Sequence, residues 1–154
     1  MNQAVPALQT KPAGEVAATV WFAWTRLGVL LLDGAGKVEF PKPLPSVPGL
    51  YRMTFTGANR LYIGESDNLR RRLGSNYRNP GPRQRTSLRV NEALRTYLGA
   101  GGAVTLDIAV AAQLSGPDVG VGPLDLTRKA GRLLAESAAL VLAQLGGHEL
   151  ENLG

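Results

Sequence analysis

Two tyrosines, an arginine and a glutamate are the residues of this 154-residue chain whose types and spacing could do chemistry together. Tyr51 and Tyr62 sit in two β-type runs, 49–56 and 60–64, joined by a short loop in which Gly57-Ala58-Asn59 lies in a turn. An even-numbered loop sets residues of opposite parity across from one another, so Tyr51 shares a face with Tyr62 and Gly64. Two phenols then project from one side of a hairpin, beside a glycine that allows close approach to the backbone. A three-residue loop would break the arrangement. Half-buried core aromatics would produce the same pattern, and most strand tyrosines are of that kind.

Arg72 follows on a short helix expected over 67–74, capped by Ser66 or Asp67. With Leu69 and Leu73 as the buried stripe and a rotation of about 100° per residue, Arg72 lies about 60° from Leu69, while Arg71 points away. Arg72 is therefore the arginine held nearest the sheet, where its guanidinium could clamp a phosphate. A surface arginine whose stem covers the leucines is the plainer alternative. Glu136 is the only charge from 133 to 143, on a long helix expected over 126–145 and started by Asp125 or Thr127. A carboxylate stacked between Leu133 and Leu140 is costly unless a divalent metal or an arginine satisfies it, or unless it lies at the rim and reaches water.

Charge distribution narrows the partner. Between Arg52 and Arg95 ten arginines stand against Glu65, Asp67 and Glu92, a local net charge of +7 in a chain whose total is +5. A field of that sign draws polyanions, and arginine with no lysine in the stretch favours bidentate phosphate contact. A solvated basic face would also account for the charge. Arg70, Arg71, Tyr77, Arg78, Arg83, Arg85 and Arg89 are the expected nucleic-acid contacts. The chain has no cysteine, which excludes disulfides, thiolate zinc sites and cysteine nucleophiles. That suits a reducing compartment, and the expected location is the cytoplasm. The most apolar N-terminal run, 16–24, is too short to span a bilayer, and the first ten residues lack the basic side chain of a secretory signal. No membrane association is expected.

The elements that must position these residues can be read in outline. At 44% hydrophobic the chain can bury a core, and 19 glycines with 10 prolines predict many turns. Residues 1–14 read as a loose tail. An N-terminal extension over 15–44 is expected to hold a short helix at 15–26 and a hairpin, 29–32 with 37–40, around Asp33-Gly34-Ala35-Gly36. Four prolines in 41–48 resist regular structure and mark a boundary. From 45 to 154 the expected order is the two strands, the short helix, a helix at 87–98, a strand at 104–110, a glycine-rich loop at 115–123 and the long helix.

Taken together, these residues resemble the GIY-YIG nuclease superfamily. Gly49-Leu50-Tyr51 is similar to its first triplet, Gly-Ile-Tyr, and Tyr62-Ile63-Gly64 to its second. The ten residues between them match the usual gap, and the arginine eight past the glycine is Arg72. Glu136 and Asn152 resemble the metal-binding glutamate on a late helix and the polar residue beyond it. The resemblance covers 49–154 and implies an α/β (α+β) fold, a small three-stranded antiparallel sheet flanked by helices. It implies an endonuclease that hydrolyses phosphodiester bonds with Mg²⁺ or Mn²⁺, on DNA in preference to RNA, in a setting such as repair or restriction. In that scheme Tyr51 is the general base or positions the attacking water, and Tyr62 supports it. Arg72 holds the scissile phosphate and Glu136 binds the metal, with Gly49, Gly64 and Asn152 in support.

Two departures from the family pattern bear on the site. Asn76 lies four residues past Arg72, where many members have His or Tyr. Either a one-residue insertion brings Tyr77 into that role or the role is absent. Glu65 stands where a basic residue often follows the second triplet, and there it tunes the metal or caps the helix. With only residues 1–44 outside the domain, the chain is expected to recognise nucleic-acid structure, to act with a separate specificity subunit or to form a homodimer. The competing reading is a nucleic-acid-binding module or accessory subunit that keeps the fold without cleavage.

Overall fold

The computed structural model describes residues 13–153, so the expected tail lies, up to residue 12, outside the described residues. In chain order the elements are β1 (Thr19–Trp21), β2 (Thr25–Val29), β3 (Leu31–Leu32), β4 (Val38–Glu39), β5 (Gly49–Thr56), β6 (Arg60–Ser66) and α1 (Leu69–Arg71), which runs into a π-helical turn (Arg72–Asn76). They continue with α2 (Arg85–Gly99), β7 (Ala103–Ala109), β8 (Gln113–Gly116), β9 (Gly120–Pro123), α3 (Lys129–Leu145), β10 (Glu149–Leu150) and a closing 3₁₀ turn (Glu151–Leu153).

Period-two burial makes β5 the central strand. Tyr51, Met53 and Phe55 are buried on one face and Leu50 on the other, while β6 and β7 pair with it antiparallel on its two sides. The three expected strands are the middle of a five-stranded sheet, ordered β10-β6-β5-β7-β2, in which only β10 runs parallel to its neighbour. On one face Tyr51, Met53, Phe55 and Tyr62 form the main core with Leu69, Leu73, Tyr77, Val90 and Leu94 from the helical segments. On the other face lies α3, whose Ala135 packs near Leu50 and Ala109 and whose Ala139, Leu140 and Ala143 pack on Leu61, Ile63 and Leu150.

The N-terminal part corrects the sequence reading. No helix forms over 15–26; the segment gives β1 and β2 instead. Val20, Phe22 and Trp24, at every second position, pack against the α3-side core, a strand period that outweighs the alanine-rich composition. β2 pairs with β7 at the sheet edge, and Leu30, Val38 and Phe40 join the main core, so residues 25–40 share the sheet and the core with the rest of the chain. β3 and β4 do form the expected hairpin, with Asp33 Oδ1 accepting from the backbone N–H of Ala35 and Lys37 at 2.9 and 3.0 Å. The glycine-rich stretch at 115–123 is not an open loop. It supplies β9 and the end of β8, a hairpin that pairs with β1 and turns at Gly120, whose φ of +64° suits glycine.

The proline-rich run is tied to the fold by main-chain bonds. The first donors of α1, the N–H groups of Leu69 and Arg70, reach the carbonyls of Val47 and Pro45 at 3.0 and 3.1 Å. The side-chain cap of α1 is Asn68, whose Oδ1 accepts from the Arg71 N–H at 3.0 Å, rather than Ser66 or Asp67. The long helix starts at Lys129, later than expected, with no side-chain cap bond from Arg128. Among the described residues no helix is long and apolar enough to cross a membrane.

Asp107 on β7 links three strands on the α3 face. Its buried carboxylate receives Arg26 Nε at 2.6 Å from β2 and Arg52 Nε and Nη2 at 3.0 and 2.8 Å from β5. Burial alone would raise its pKa, but the hydrogen bonds from Arg26 and Arg52 outweigh it and hold the carboxyl below the usual aspartate range. Asp107→Asn is expected to cost about 1–3 kcal/mol at neutral pH, because charge-assisted bonds and their strand links are lost. The wild-type advantage is complete above about pH 4, the unfolded value, and disappears as pH falls through the depressed folded value. Urea unfolding of both proteins at pH 7 and pH 3 checks this, and an equal gap at both pH values contradicts it.

Candidate active site

The register of β5 and β6 sets Tyr51 opposite Gly64 and Met53 opposite Tyr62. Tyr51 leans over the glycine so closely that a Cβ at position 64 would stand 2.2 Å from the Tyr51 Oη. The Tyr51 and Tyr62 rings lie 6.1 Å apart and nearly parallel, at 22°. The two phenols thus share one face, with the glycine between strand and ring.

A third tyrosine completes the cluster through an irregular helix. After α1 the chain widens into the π-helical turn, where the N–H of Tyr77 bonds the Arg72 carbonyl five residues back at 3.0 Å. That adds one residue to the turn, so Tyr77 points inward and Asn76 does not. A π-helical turn of this kind is the geometry that the insertion reading expects. Tyr77 stands edge-on to both rings, its hydroxyl in a short hydrogen bond with that of Tyr51 and 3.3 Å from that of Tyr62. Asn91 on α2 donates to the Tyr77 carbonyl at 2.7 Å and fixes the turn from behind. Grouped with the binding face in the sequence reading, Tyr77 is instead wholly buried.

Burial of these phenols disfavours their charged form, and their mutual proximity adds to it. The Tyr51 and Tyr62 pKa values are both pushed well above the ordinary tyrosine value, so both hydroxyls stay protonated at neutral pH. Arg72 is half-buried, with its guanidinium carbon 6.0 Å from the centre of the Tyr77 ring. Burial would lower its pKa, but the oxygens of Tyr51 and Tyr77 hold it above the usual arginine value. Arg71 faces solvent and pairs with Asp67, as the helical phase predicts.

Glu136 comes from the opposite side of the sheet. Its expected apolar stripe is not there: Leu133 is 41% exposed, and the buried positions of α3 are Gly131, Arg132 and Ala135. The helix packs on the sheet through Ala135, Ala139, Leu140 and Ala143, which turns Leu133, Leu134 and Leu142 outward and leaves Glu136 half-buried at the border. Burial raises its pKa first and the nearby Glu65 charge second, while Lys129, the Glu65 main chain and Arg72 pull it down without cancelling the rise. Arg72 thus lies against the tyrosines, and its charge is the smallest of the influences on Glu136.

Glu65 does not cap the helix. Its carboxylate takes Arg132 Nε at 2.9 Å and Lys129 Nζ at 3.3 Å, and Arg132 is itself buried, donating to the carbonyls of Leu126 and Thr127. Arg132 had escaped the sequence reading, although its place one residue before the apolar run was the available signal. Asn152 acts on the backbone: its Oδ1 accepts from the Ile63 N–H at 3.0 Å and its Nδ2 donates to the Ile63 carbonyl at 2.6 Å, continuing the β10 ladder by a side chain. Gly49 lies against Ala109, where a Cβ would stand 2.6 Å from a carbonyl oxygen.

The expected arginine contacts divide. Arg78 is held by Asp33 and the Val38 carbonyl, and Arg89 by Glu151. Arg70, Arg83 and Arg85 are exposed and have no ion pair among the described residues. The chain shares its fold with a mutant of bacteriophage T4 EndoII. The TM-score is 0.53 over 77% of this chain and 88% of that one, at 21% sequence identity. No protein-family model matches the sequence, and no curated protein matches it.

Among the described residues no group of three or more His, Cys, Asp or Glu converges, so a closed protein cage for a metal is absent there. The donor set instead fits a hard divalent ion that takes one carboxylate, waters and substrate oxygens. Glu136, with no ion pair among the described residues, could hold such an ion, whereas Glu65 is engaged by two cations. Gly64→Ala is expected to displace Tyr51 and cost about 1–3 kcal/mol, since the new methyl must occupy the phenol's space. Urea unfolding measures the loss, and unchanged stability would mean the ring has room to move.

Proposed function

We propose that the chain is an endonuclease that hydrolyses phosphodiester bonds in nucleic acid with Mg²⁺ or Mn²⁺, taking DNA in preference to RNA. The observation that supports this best is the cluster of Tyr51, Tyr62 and Tyr77 hydroxyls over Gly64, with the half-buried Arg72 guanidinium held at the Tyr77 ring. EndoII, the phage endonuclease that shares the fold, suits the same reading.

A phosphodiester is anionic and repels a nucleophile, so catalysis needs fixed positive charge where charge builds up. Arg72 binds the scissile phosphate, its guanidinium oriented by the phenol oxygens. Glu136 would hold a divalent ion, which when bound would supply Lewis-acid charge to the phosphate. Because burial keeps Tyr51 and Tyr62 protonated, their hydroxyls act first as orienting groups for the attacking water. Tyr51 takes a proton from that water only when nearby positive charge stabilises the developing phenolate, and the Tyr77 hydroxyl shares that charge through its hydrogen bond.

The burial of Tyr51 also favours a second reading, a nucleic-acid-binding module without cleavage. A panel of duplex, single-stranded, nicked and branched DNA, with RNA alongside, incubated with Mg²⁺, Mn²⁺ or EDTA, separates the two. Metal-dependent cleavage supports the nuclease. Binding without cleavage of any substrate supports the module.

Arg72→Ala is expected to lower cleavage by about 10²–10³-fold, the range for loss of a donor to developing charge. Arg71→Ala, which removes only a solvent-exposed pair with Asp67, is expected to alter affinity slightly. Equal losses of rate in the two variants contradict the inward placement of Arg72.

Glu136→Gln keeps the shape and removes the carboxylate charge. It is expected to abolish cleavage while leaving DNA binding unchanged or tighter. The raised pKa means that ionised Glu136 disfavours the folded state, and this penalty grows as pH rises through that value. The variant is therefore expected to be at least as stable as the wild type at pH 7. Normal cleavage by the variant, or a marked fall in its melting temperature, contradicts this placement of Glu136.

A further inference from the structure

A groove of about 340 Å³ runs between the proline-rich run and the first helical segment, lined by Lys42, Pro43, Leu44, Arg70, Gly74 and Ser75. Its two walls are fixed to one another, because the N–H groups of Leu69 and Arg70 bond the carbonyls of Val47 and Pro45. Gly74 keeps the groove open beside Leu44, whose Cδ1 a Cβ would approach to 3.3 Å.

The charge of this groove is unusual for the chain. In the arginine-rich stretch Arg52, Arg60, Arg71, Arg78 and Arg89 are each held by a carboxylate. Lys42 and Arg70 are exposed, and their side chains have neither an ion pair nor a hydrogen bond among the described residues. No acid lines the groove with them. Two like charges lining one groove from its two walls repel each other in the free protein, and an anion between them relieves that repulsion. The Ser75 hydroxyl supplies a neutral donor beside them.

We infer that this groove receives a backbone phosphate of the nucleic acid other than the scissile one. The inference rests on the nuclease reading. Arg70 stands two residues before Arg72 on the same helical segment, which turns it to the side away from the tyrosines. Crossing a helix of about 10–12 Å diameter corresponds to about three nucleotides along a duplex strand, at about 3.4 Å per nucleotide. The groove therefore fixes the register of the strand while Arg72 holds the reacting group.

The test is binding of a fluorescent 20-base-pair DNA duplex in EDTA, across a salt series, by the full chain and by Lys42→Ala/Arg70→Ala. The double variant is expected to bind about tenfold more weakly at ~100 mM salt, with a salt slope smaller in magnitude by about 1. Lys42→Arg/Arg70→Lys, which keeps both charges, is expected to stay within about threefold of the wild type. Urea unfolding of all three proteins shows that each is folded. If the wild type binds the duplex and the double variant matches its affinity and slope, the groove carries no phosphate and the inference fails alone. Should inorganic phosphate protect the wild type against urea as well as duplex does, and the double variant not at all, the groove is a free-phosphate site and the backbone assignment is overturned. A wild type that binds no nucleic acid at any salt overturns the nuclease reading itself.

Discussion

The Tyr51 phenol occupies the space that a side chain at position 64 would fill, and the rest of the site is arranged around that contact. It requires that β5 and β6 pair in one register. A slip by one residue would turn Tyr51 to the α3 side and set Ile63 or Glu65 against it. Pairing of β5 on both sides, by β6 and by β7, resists such a slip. Once fixed there, the hydroxyl belongs to a side chain that is almost wholly buried, and it needs a polar partner. The π-helical turn meets that need by bringing Tyr77 inward, and Asn91 on α2 holds the turn in place.

The same reasoning sorts the arginines. A count along the sequence pairs each arginine only with acids near it, which is how the stretch from Arg52 to Arg95 comes to +7. Folding brings acids from elsewhere: Asp33 to Arg78, Asp107 to Arg52, and Glu151 to Arg60 and Arg89. Those arginines hold strands, hairpin and C-terminus together. What is left to attract a polyanion is narrower than the count suggests: Arg70, with Lys42 in the same groove, and the exposed Arg83 and Arg85.

Which parts were legible follows from the range of the interactions that set them. The β5–β6 hairpin and the inward phase of Arg72 depend on neighbours a few residues away, and local periodicity carried them. The N-terminal segment was misread because its alanines and aromatics suit a short helix in isolation, whereas β2 exists through pairing with β7 far along the chain. β10 is two residues long and has no pattern of its own; it is held by β6 and by the Asn152 amide on Ile63. The stripe around Glu136 failed for a related reason. The sheet selects the alanine side of α3 as its contact, and helical period alone does not say which of two apolar sides will be covered.

Glu65 illustrates how a departure at one position is balanced by residues remote in sequence. The Glu65 charge raises the cost of ionising Glu136. Arg132 and Lys129 offset that charge by holding Glu65 from α3, one buried and one exposed. Arg132 can be buried because the Leu126 and Thr127 carbonyls satisfy its remaining donors, and the tight approach of that loop depends on Gly131, where a Cβ would stand 2.1 Å from the Asp125 carbonyl oxygen. The α3 N-terminus thus supplies the positive charge that the strand position lacks. With Glu65 neutralised there, Glu136 remains the carboxylate on that side of Arg72 without an ion pair among the described residues, and its charge is available for a cation rather than spent on its neighbour.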